Sequence, residues 1–559
     1  MGANWPGFAS YLRGRTLEMN PLDIAIIRGR LQQITDEMDV VHTKAAFSPV
    51  VSEMSDRANA IIDPRRLEVV SQGKTGLPVF VSAMQSAARS IMRKVGPELR
   101  EGDVVIMNDP YLGGTHLQDV KLLRPYYRDG RLTLLLVSTG HYVDMGGASA
   151  AGFDPGASDI FQEGLQIPPT FLCRDGAVRA DVMRLIVQNT RLPEAQEGDV
   201  RAQLNALDIG ARRLDALVSE RGIDQLLAAI SELADRSEEQ MRNYLLRVPD
   251  GTYRGRDAIE VSQTDELVIE AALTFSNGSV AIDFTGSSPT YRGPLNLAWP
   301  TTETAVFLAF KHCFPEVPIN GGCFRPFSFT CPPGSFLNAP WPFAVGGFSE
   351  SAQRVADALF IALAKALPDV ACGGSYGTGG TLTFSGHAEN GAFFASVFPM
   401  CGGYGGSKGA DGLVHGPLPI GLAQFPKLEA SEHDFPLRWD ALEIRPDSAG
   451  AGRWRGGPGS VFRFKPLVPM TVAFLGDRAR FAPFGVVGGQ PAALTEIAIR
   501  NRDGLIGGPG ASQVKGVKVE PGDIIEMKSA GGGGYGNPAE RDPAATAADR
   551  LDGVVTSPP

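Results

Sequence analysis

Between residues 20 and 46 the apolar side chains Ile24, Ile27, Leu31, Ile34, Met38 and Val41 recur at spacings alternating between three and four, the period that lines one face of an α-helix. Asn20 can accept a bond from the first free amides and Pro21 suits the first helical position, so the helix is expected to begin there. A second helix is predicted over residues 77–95, and the stretch RANAIID between the two, residues 57–63, reads as a strand. From Asp103 the texture changes to strand and turn: DVVIMNDP is followed by KLLRPYYRDGRLTLLLVSTGH, in which Asp129-Gly130 marks a hairpin. A helical support is predicted over residues 198–246, with Gly222 ending one helix and Asp224 capping the next. Strand pattern returns at Gly251, with Asn277-Gly278 as a second hairpin turn. Two further helices are predicted at residues 301–313 and 350–367. Beyond Ala371 the chain is glycine-dense and strand-like as far as Tyr535, and the Pro/Ala-rich end lacks apolar periodicity and is expected to be disordered.

This order of elements predicts an α+β protein: multi-domain, mixed α/β with antiparallel sheets, and β-dominated in its glycine-rich C-terminal part. The expected regions are residues 20–249, 250–370 and 371–538, with a disordered tail at 539–559. Composition agrees, since 67 glycines and 41 prolines without a repeat period suit many tight turns and close backbone approaches rather than a helical bundle. The net charge of −10 argues against a nucleic-acid partner, which needs clustered cations. The six cysteines are scattered without a Cys-x-x-Cys pair, so reduced thiols are expected rather than a zinc knuckle or a disulfide framework. The N-terminal stretch lacks a signal-peptide apolar run and no run of about 18 apolar residues occurs, so a cytoplasmic protein with no membrane partner is expected.

Of seven histidines, two stand in unusual settings. His116 lies in NDPYLGGTHLQD, where Asn108-Asp109-Pro110 and Gly113-Gly114 force a turn, and Asp119 follows three residues later. His141 ends the apolar run LTLLLVSTG and opens onto Asp144-Met145-Gly146-Gly147, the way a rigid strand presents a ligand at a sheet edge. If the Asp129-Gly130 hairpin pairs its strands, His116 and His141 return to the same end. Two imidazoles with one or two carboxylates suit zinc, manganese or ferrous iron. Local hydrogen bonds to turn backbone would equally account for both histidines. Upstream, Glu53 and Asp56 stand three apart in SPVVSEMSDRANAIID, a pair that also fits a solvated face. The glycine-rich segments do not encode a nucleotide loop: in GGYGGSKG the order is Gly406-Ser407-Lys408-Gly409, without Gly-Lys-[Ser/Thr]. Gly531 to Gly534 suit a tight turn or an anion-facing row of amides.

Taken in order, NPLDIAIIRGRL, EMSD, EGDVVIMNDPYLGGTHLQDV, STGHYVDMGG, DIFQEGLQIPP, IDFTGSSP, PINGGCFRPF, LEIRPDSAGAGRWRGGPG and GDIIEMKSAGGGGYGNP resemble the hydantoinase B/5-oxoprolinase B-subunit family. That family also includes caprolactamase and the metal-bearing subunits of acetone and acetophenone carboxylases, and the resemblance covers residues 20–538. It implies a divalent metal, zinc or manganese, held by His116, Asp119, His141 and an upstream carboxylate placed at Asp56, with Glu53 as its alternative. Asp144 and Glu53 are the candidate catalytic carboxylates, Asp144 orienting His141 or a water. The resemblance further implies a hetero-oligomer in which a hydantoinase A-like ATPase subunit uses ATP to phosphorylate a small cyclic amide, which this chain then hydrolyses. A ketone carboxylase subunit and a non-catalytic scaffold are the alternatives. Two positions depart from the pattern: Tyr142 and Phe80 stand where relatives carry histidine, which bears on substrate choice or proton transfer. Arg445, Asp447 and Arg455 are candidates for contacting the ATPase subunit or a phosphorylated intermediate, or for plain salt bridges.

Overall fold

A computed structural model describes residues 19–556. The first helix spans Pro21–Ala45, and the Asn20 side chain accepts a bond from the Leu22 amide at 3.0 Å. Its apolar face packs on the long helix Pro193–Arg221, which a break at Gly222 separates from Ile223–Leu245. That break corrects one expectation: Gly222, at φ 81°, is itself the junction, and Asp224 lies inside the first turn rather than capping it.

These helices cover one face of a seven-stranded antiparallel sheet. Its strands are β1 (Arg57–Asp63), β2 (Glu68–Gln72), β3 (Val104–Met107), β4 (Asp119–Arg128), β5 (Arg131–His141), β6 (Thr170–Arg174) and β7 (Ala177–Val178), in the order β2-β1-β5-β4-β3-β6-β7. Side chains alternate across a strand, so Ile61, Leu134 and Leu136 enter one apolar cluster with Leu31 and Leu207. Ala60, Ile62, Leu135 and Val137 enter another, with Met84, Ala87 and Ile91 of the helix Phe80–Val95. Burial of both faces explains why β5 reads as a continuous apolar run.

The second cluster continues without a break from Val50 to Ala530, so the stretches divided at 249 and 370 share one core. It passes through the sheet of β8 (Gly251–Glu260), β9 (Glu266–Ser276), β10 (Ser279–Asp283) and β11 (Phe327–Thr330), against which the helix Phe348–Ala366 packs. Two further sheets of four and five strands follow between Thr381 and Lys528. None of the described helices is long and apolar enough to cross a membrane.

Arg354, fully buried on the helix Phe348–Ala366, joins these layers. Its Nε donates to Asp477 at 2.5 Å, and its Nη1 donates to Asp257 at 3.0 Å and to Asp357 at 2.9 Å. Arg478, equally buried, donates to the same Asp357 at 2.6 Å.

The glycine-rich segments do something that glycine's freedom of φ does not explain. None of Gly531 to Gly534 has a positive φ. They run beside other glycine segments at backbone-to-backbone distance: Gly457 donates to Tyr404 O at 2.8 Å, Gly532 to Gly457 O at 2.9 Å, Gly450 to Gly532 O at 2.9 Å and Gly533 to Gly374 O at 2.8 Å. A Cβ on Gly456 would be driven into the Gly532 carbonyl. The amides of Gly532, Gly533 and Gly534, read as part of a turn or an anion cradle, are therefore spent on neighbouring carbonyls.

The disorder expected of the C-terminal tail is also corrected over residues 539–556, while residues 557–559 lie outside the described residues. Asp542 caps a helix, Pro543–Leu551, and Asp549 accepts from Arg455 Nε at 2.6 Å and from Arg541 Nη2 at 2.7 Å, while Arg541 also holds Asp411 at 2.8 Å. Capping and ion pairs anchor this segment, which is why apolar periodicity missed it. The same contacts place Arg455 in a structural bridge, as Glu496 does for Arg445 at 2.6 Å and Thr556 for Asp447.

Two outcomes test this packing. Arg354→Met, which strands the Asp477 carboxylate in the interior and leaves Asp257 and Asp357 to Arg478 alone, should cost about 3–5 kcal/mol in denaturant unfolding. Gly456→Ala should destabilise the chain severely, whereas Gly29→Ala, on a helix with open space around the new methyl, should gain about 0.5–1 kcal/mol in the same measurement.

Candidate metal centre

The loop that carries His116 is built by its own motif. Asn108 anchors its base, donating through Nδ2 to Leu117 O at 2.8 Å and to Leu165 O at 2.9 Å, and accepting from the Ile167 amide at 2.6 Å. Asp109 caps the short turn Pro110–Leu112 by accepting from the Tyr111 amide at 2.9 Å. Gly113, at φ 133°, lies against the backbone of Ala87, where any side chain would collide. The loop is thus pressed onto the helix Phe80–Val95 before it delivers His116 and enters β4 at Asp119.

The Asp129-Gly130 turn, with φ of 51° and 72°, sets β4 and β5 in a register that places Asp119 opposite His141. β1 pairs with the other side of β5, Arg57 opposite Gly140, so Asp56 reaches the same end and its carbonyl accepts from the His141 amide at 3.0 Å.

Three donor atoms converge. His116 Nε2 lies 3.2 Å from His141 Nδ1, and each nitrogen lies 3.2 Å from Asp119 Oδ1. All three side chains are buried. Thr115 donates to the other oxygen of Asp119, which leaves Oδ1 to the histidines. Asp56 Oδ2 stands 3.9 Å from His141 Nδ1.

Burial pushes the His116 imidazole down, towards its neutral form, against the pull of Asp119. Burial acts likewise on His141, but the Asp56 and Asp119 carboxylates outweigh it and hold its pKa above the ordinary value. Asp119 pays a burial penalty that the two imidazoles overcome, leaving it well below the carboxylate range. Burial raises Asp56 to about 7, with Asp119 adding to the rise and His141 opposing it.

Two ring nitrogens and a carboxylate oxygen mutually 3.2 Å apart match the donor-to-donor edges, about 3.0–3.4 Å, that follow from ligand distances of about 2.1 Å around a small divalent cation. His116, Asp119 and His141 form the metal-competent group among the described residues. At most one proton can lie between the two facing nitrogens, whereas a cation would engage both, so the donor set fits a metal.

The group lines a cavity of about 80 Å³. Phe153 and Phe348 flank His116 with centroids 5.0 and 4.8 Å away, and Phe80 forms part of the same wall. Tyr142, by contrast, is turned away and donates to Gln203.

Of the candidate residues, the structure brings together His116, Asp119 and His141, with Asp56 beside them. It does not bring Glu53 or Asp144. Glu53 is part-exposed, 3.6 Å from Lys427, outside the cavity wall. Asp144 accepts from the Arg191 amide at 2.6 Å and from Arg191 Nη1 at 2.8 Å, so its carboxylate ties down the following loop instead of orienting His141.

Sequence reasoning missed Phe153, Phe348 and Ser349, which join the site through distant parts of the chain. It also missed Glu163, whose buried carboxyl group, raised by burial to about 8, accepts from the Val345 and Gly346 amides at 3.1 and 2.6 Å and so holds the segment that leads into the helix Phe348–Ala366. Glu163 in DIFQEGLQIPP carries no local signal of this.

Comparison with known proteins bears on the same residues. The caprolactamase subunit beta of Pseudomonas jessenii is 31% identical over 553 residues, covering 96% of this chain and 94% of that one. The crystal structure of ATP-dependent caprolactamase from Pseudomonas jessenii superposes with a TM-score of 0.89 at 29% identity, over 97% of this chain and 95% of that one. A nucleotide-free acetone carboxylase shares the fold alone, with a TM-score of 0.90 at 18% identity, over 98% of this chain and 80% of that one. The Hydantoinase B/oxoprolinase family model matches residues 20–538, from the capped first helix to the end of the glycine layer, and the chain belongs to that family.

Proposed function

We propose that this chain is the metal-bearing subunit of an ATP-dependent cyclic-amide hydrolase, acting on a ring that a partner ATPase subunit has phosphorylated. The observation that carries the reading is the buried triangle of His116 Nε2, His141 Nδ1 and Asp119 Oδ1 at the wall of a cavity. A caprolactamase subunit beta among the relatives supports both the reaction class and a hetero-oligomer.

His116, Asp119 and His141 would hold the ion, with Asp56 as the fourth donor. A divalent metal, zinc or manganese, supplies Lewis acidity and activates water near neutral pH when bound in such a set. The remaining work falls to the chain itself. Thr115 fixes the Asp119 carboxylate so that one oxygen faces both rings. The His141 amide bond to Asp56 O locks that histidine to the start of β1. Phe80, Phe153 and Phe348 exclude solvent from the reacting side, which favours directed water over bulk hydrolysis of an activated substrate.

Phosphorylation belongs to the partner in this reading. The glycine segments that would be natural phosphate cradles donate their amides within the backbone layer, which favours a hydantoinase A-like subunit as the site of ATP.

Metal analysis and turnover test the assignment together. The purified complex should retain about one equivalent of zinc or manganese per chain, and ring opening of a cyclic amide should drive ATP cleavage. The double variant His116→Ala/His141→Ala should lose the metal and at least ~100-fold of turnover. Full activity of that variant would make the chain a scaffold, and ATP cleavage driven by a ketone with bicarbonate would make it a carboxylase subunit. Asp56→Asn should weaken metal affinity about 10–100-fold, measured by competition with a chelator.

A further inference from the structure

The cavity beside the triad offers no lysine or arginine to an anionic substrate, and we infer that the ring it accepts is uncharged: a neutral cyclic amide whose remaining atoms are apolar, rather than one bearing a carboxylate. The inference rests on the cyclic-amide reading of the site and narrows it.

Among the described residues that line the cavity there is no lysine or arginine. Away from the donor set the wall is mainly apolar, with Met54, Phe80, Phe153, Phe348, Leu418 and Ile420 among its side chains. Nearby cations are committed elsewhere. Lys121, buried beside Phe80, donates to the Asp119 carbonyl at 2.9 Å. Arg57, next to Asp56 in the chain, holds Asp39 at 3.2 Å and Thr43 at 2.7 Å. Lys427 faces Glu53 from the exposed side at 3.6 Å.

The charge balance of the donor set points the same way. Two imidazoles and the carboxylates of Asp119 and Asp56 neutralise a divalent ion, so a loaded site presents no net positive charge to a further anion. A substrate carboxylate would lose its water against apolar walls and find no lysine or arginine to pair with. A neutral ring meets none of these penalties. Its methylenes bury against the aromatic and aliphatic wall, and its polar edge faces the triad. Ser349 Oγ, a buried hydroxyl on the same wall with no protein hydrogen-bond partner, offers one further bond to that edge.

Ligand-observed NMR on the purified full chain loaded with Zn2+ tests this with three probes of one skeleton: 2-pyrrolidinone, 5-oxoproline and the methyl ester of 5-oxoproline. The two neutral rings should bind at least tenfold more tightly than the acid. Ala423→Arg, which sets a guanidinium at a half-buried position of the wall, should shift that ratio at least tenfold towards the acid, and Leu418→Lys serves the same purpose should the first variant fail to fold. Equal or tighter binding of the acid by the unaltered chain would overturn the inference. So would an unchanged ratio in the folded variant, or the absence of binding by all three probes. Metal content of the same preparations, and ATP-coupled ring opening once the partner ATPase subunit is added to them, report on the hydrolase reading separately, because the neutral-to-acid ratio needs neither ATP nor the partner.

Discussion

The antiparallel register of β4 and β5 is the constraint on which the site depends. It runs from Arg128 opposite Arg131 at the turn to Asp119 opposite His141 at the far end, with one irregularity between Tyr126 and Tyr127. Because β5 is apolar on both faces, burial alone does not distinguish one register from the next. The two-residue turn does, since Asp129 and Gly130 both take positive φ and close the hairpin tightly. A slip by one residue would turn Asp119 and His141 to opposite faces. β1 then adds Asp56 by pairing with the other edge of β5, so three strands contribute donors that no short segment of sequence holds together.

The opposite wall of the cavity comes from the C-terminal half, and its rigidity has a different origin. Phe348 and Ser349 open the helix that carries Arg354, and the ion-pair cluster around Arg354 and Arg478 joins that helix to β8 and to Asp477. Beyond it, glycine segments pack backbone against backbone with their amides and carbonyls mutually satisfied. Such a layer gains little from side-chain burial and depends on the absence of every Cβ. It holds the chain in place by hydrogen bonding at close range, which makes that side of the cavity stiff.

How far the sequence could be read follows from which forces act locally. The first helix, β1, both hairpins and the helices near residues 299–313 and 348–366 were legible because periodicity, caps and turn residues act within a few positions. His116, Asp119 and His141 were legible because a tight turn and a strand end deliver them. Asp144 misled, since its loop gives no sign that Arg191, far along the chain, would claim it. The tail misled for a similar reason: Asp549 is held by Arg455 and Arg541, and long-range ion pairs leave no periodic trace. The glycine layer was visible as composition but not as structure, because glycine's usual meaning is a turn and here it is an empty space.

The protonation preferences of the four donors conflict. His116 favours the neutral form while His141 is held towards the charged one, and Asp119 is ionised at the cost of pushing Asp56 up. No arrangement of protons satisfies all four, because a proton serves two atoms at a time and the donors face a common point. A divalent positive charge at that point would reconcile them, leaving both rings neutral and both carboxylates ionised. The surrounding aromatic and aliphatic side chains make the conflict sharper by keeping water out, and the same low polarity strengthens any charge that resolves it. The apolar cavity and the polar triangle are therefore two parts of one design: the first makes a lone polar cluster costly, and the second makes a cation the group that best relieves that cost.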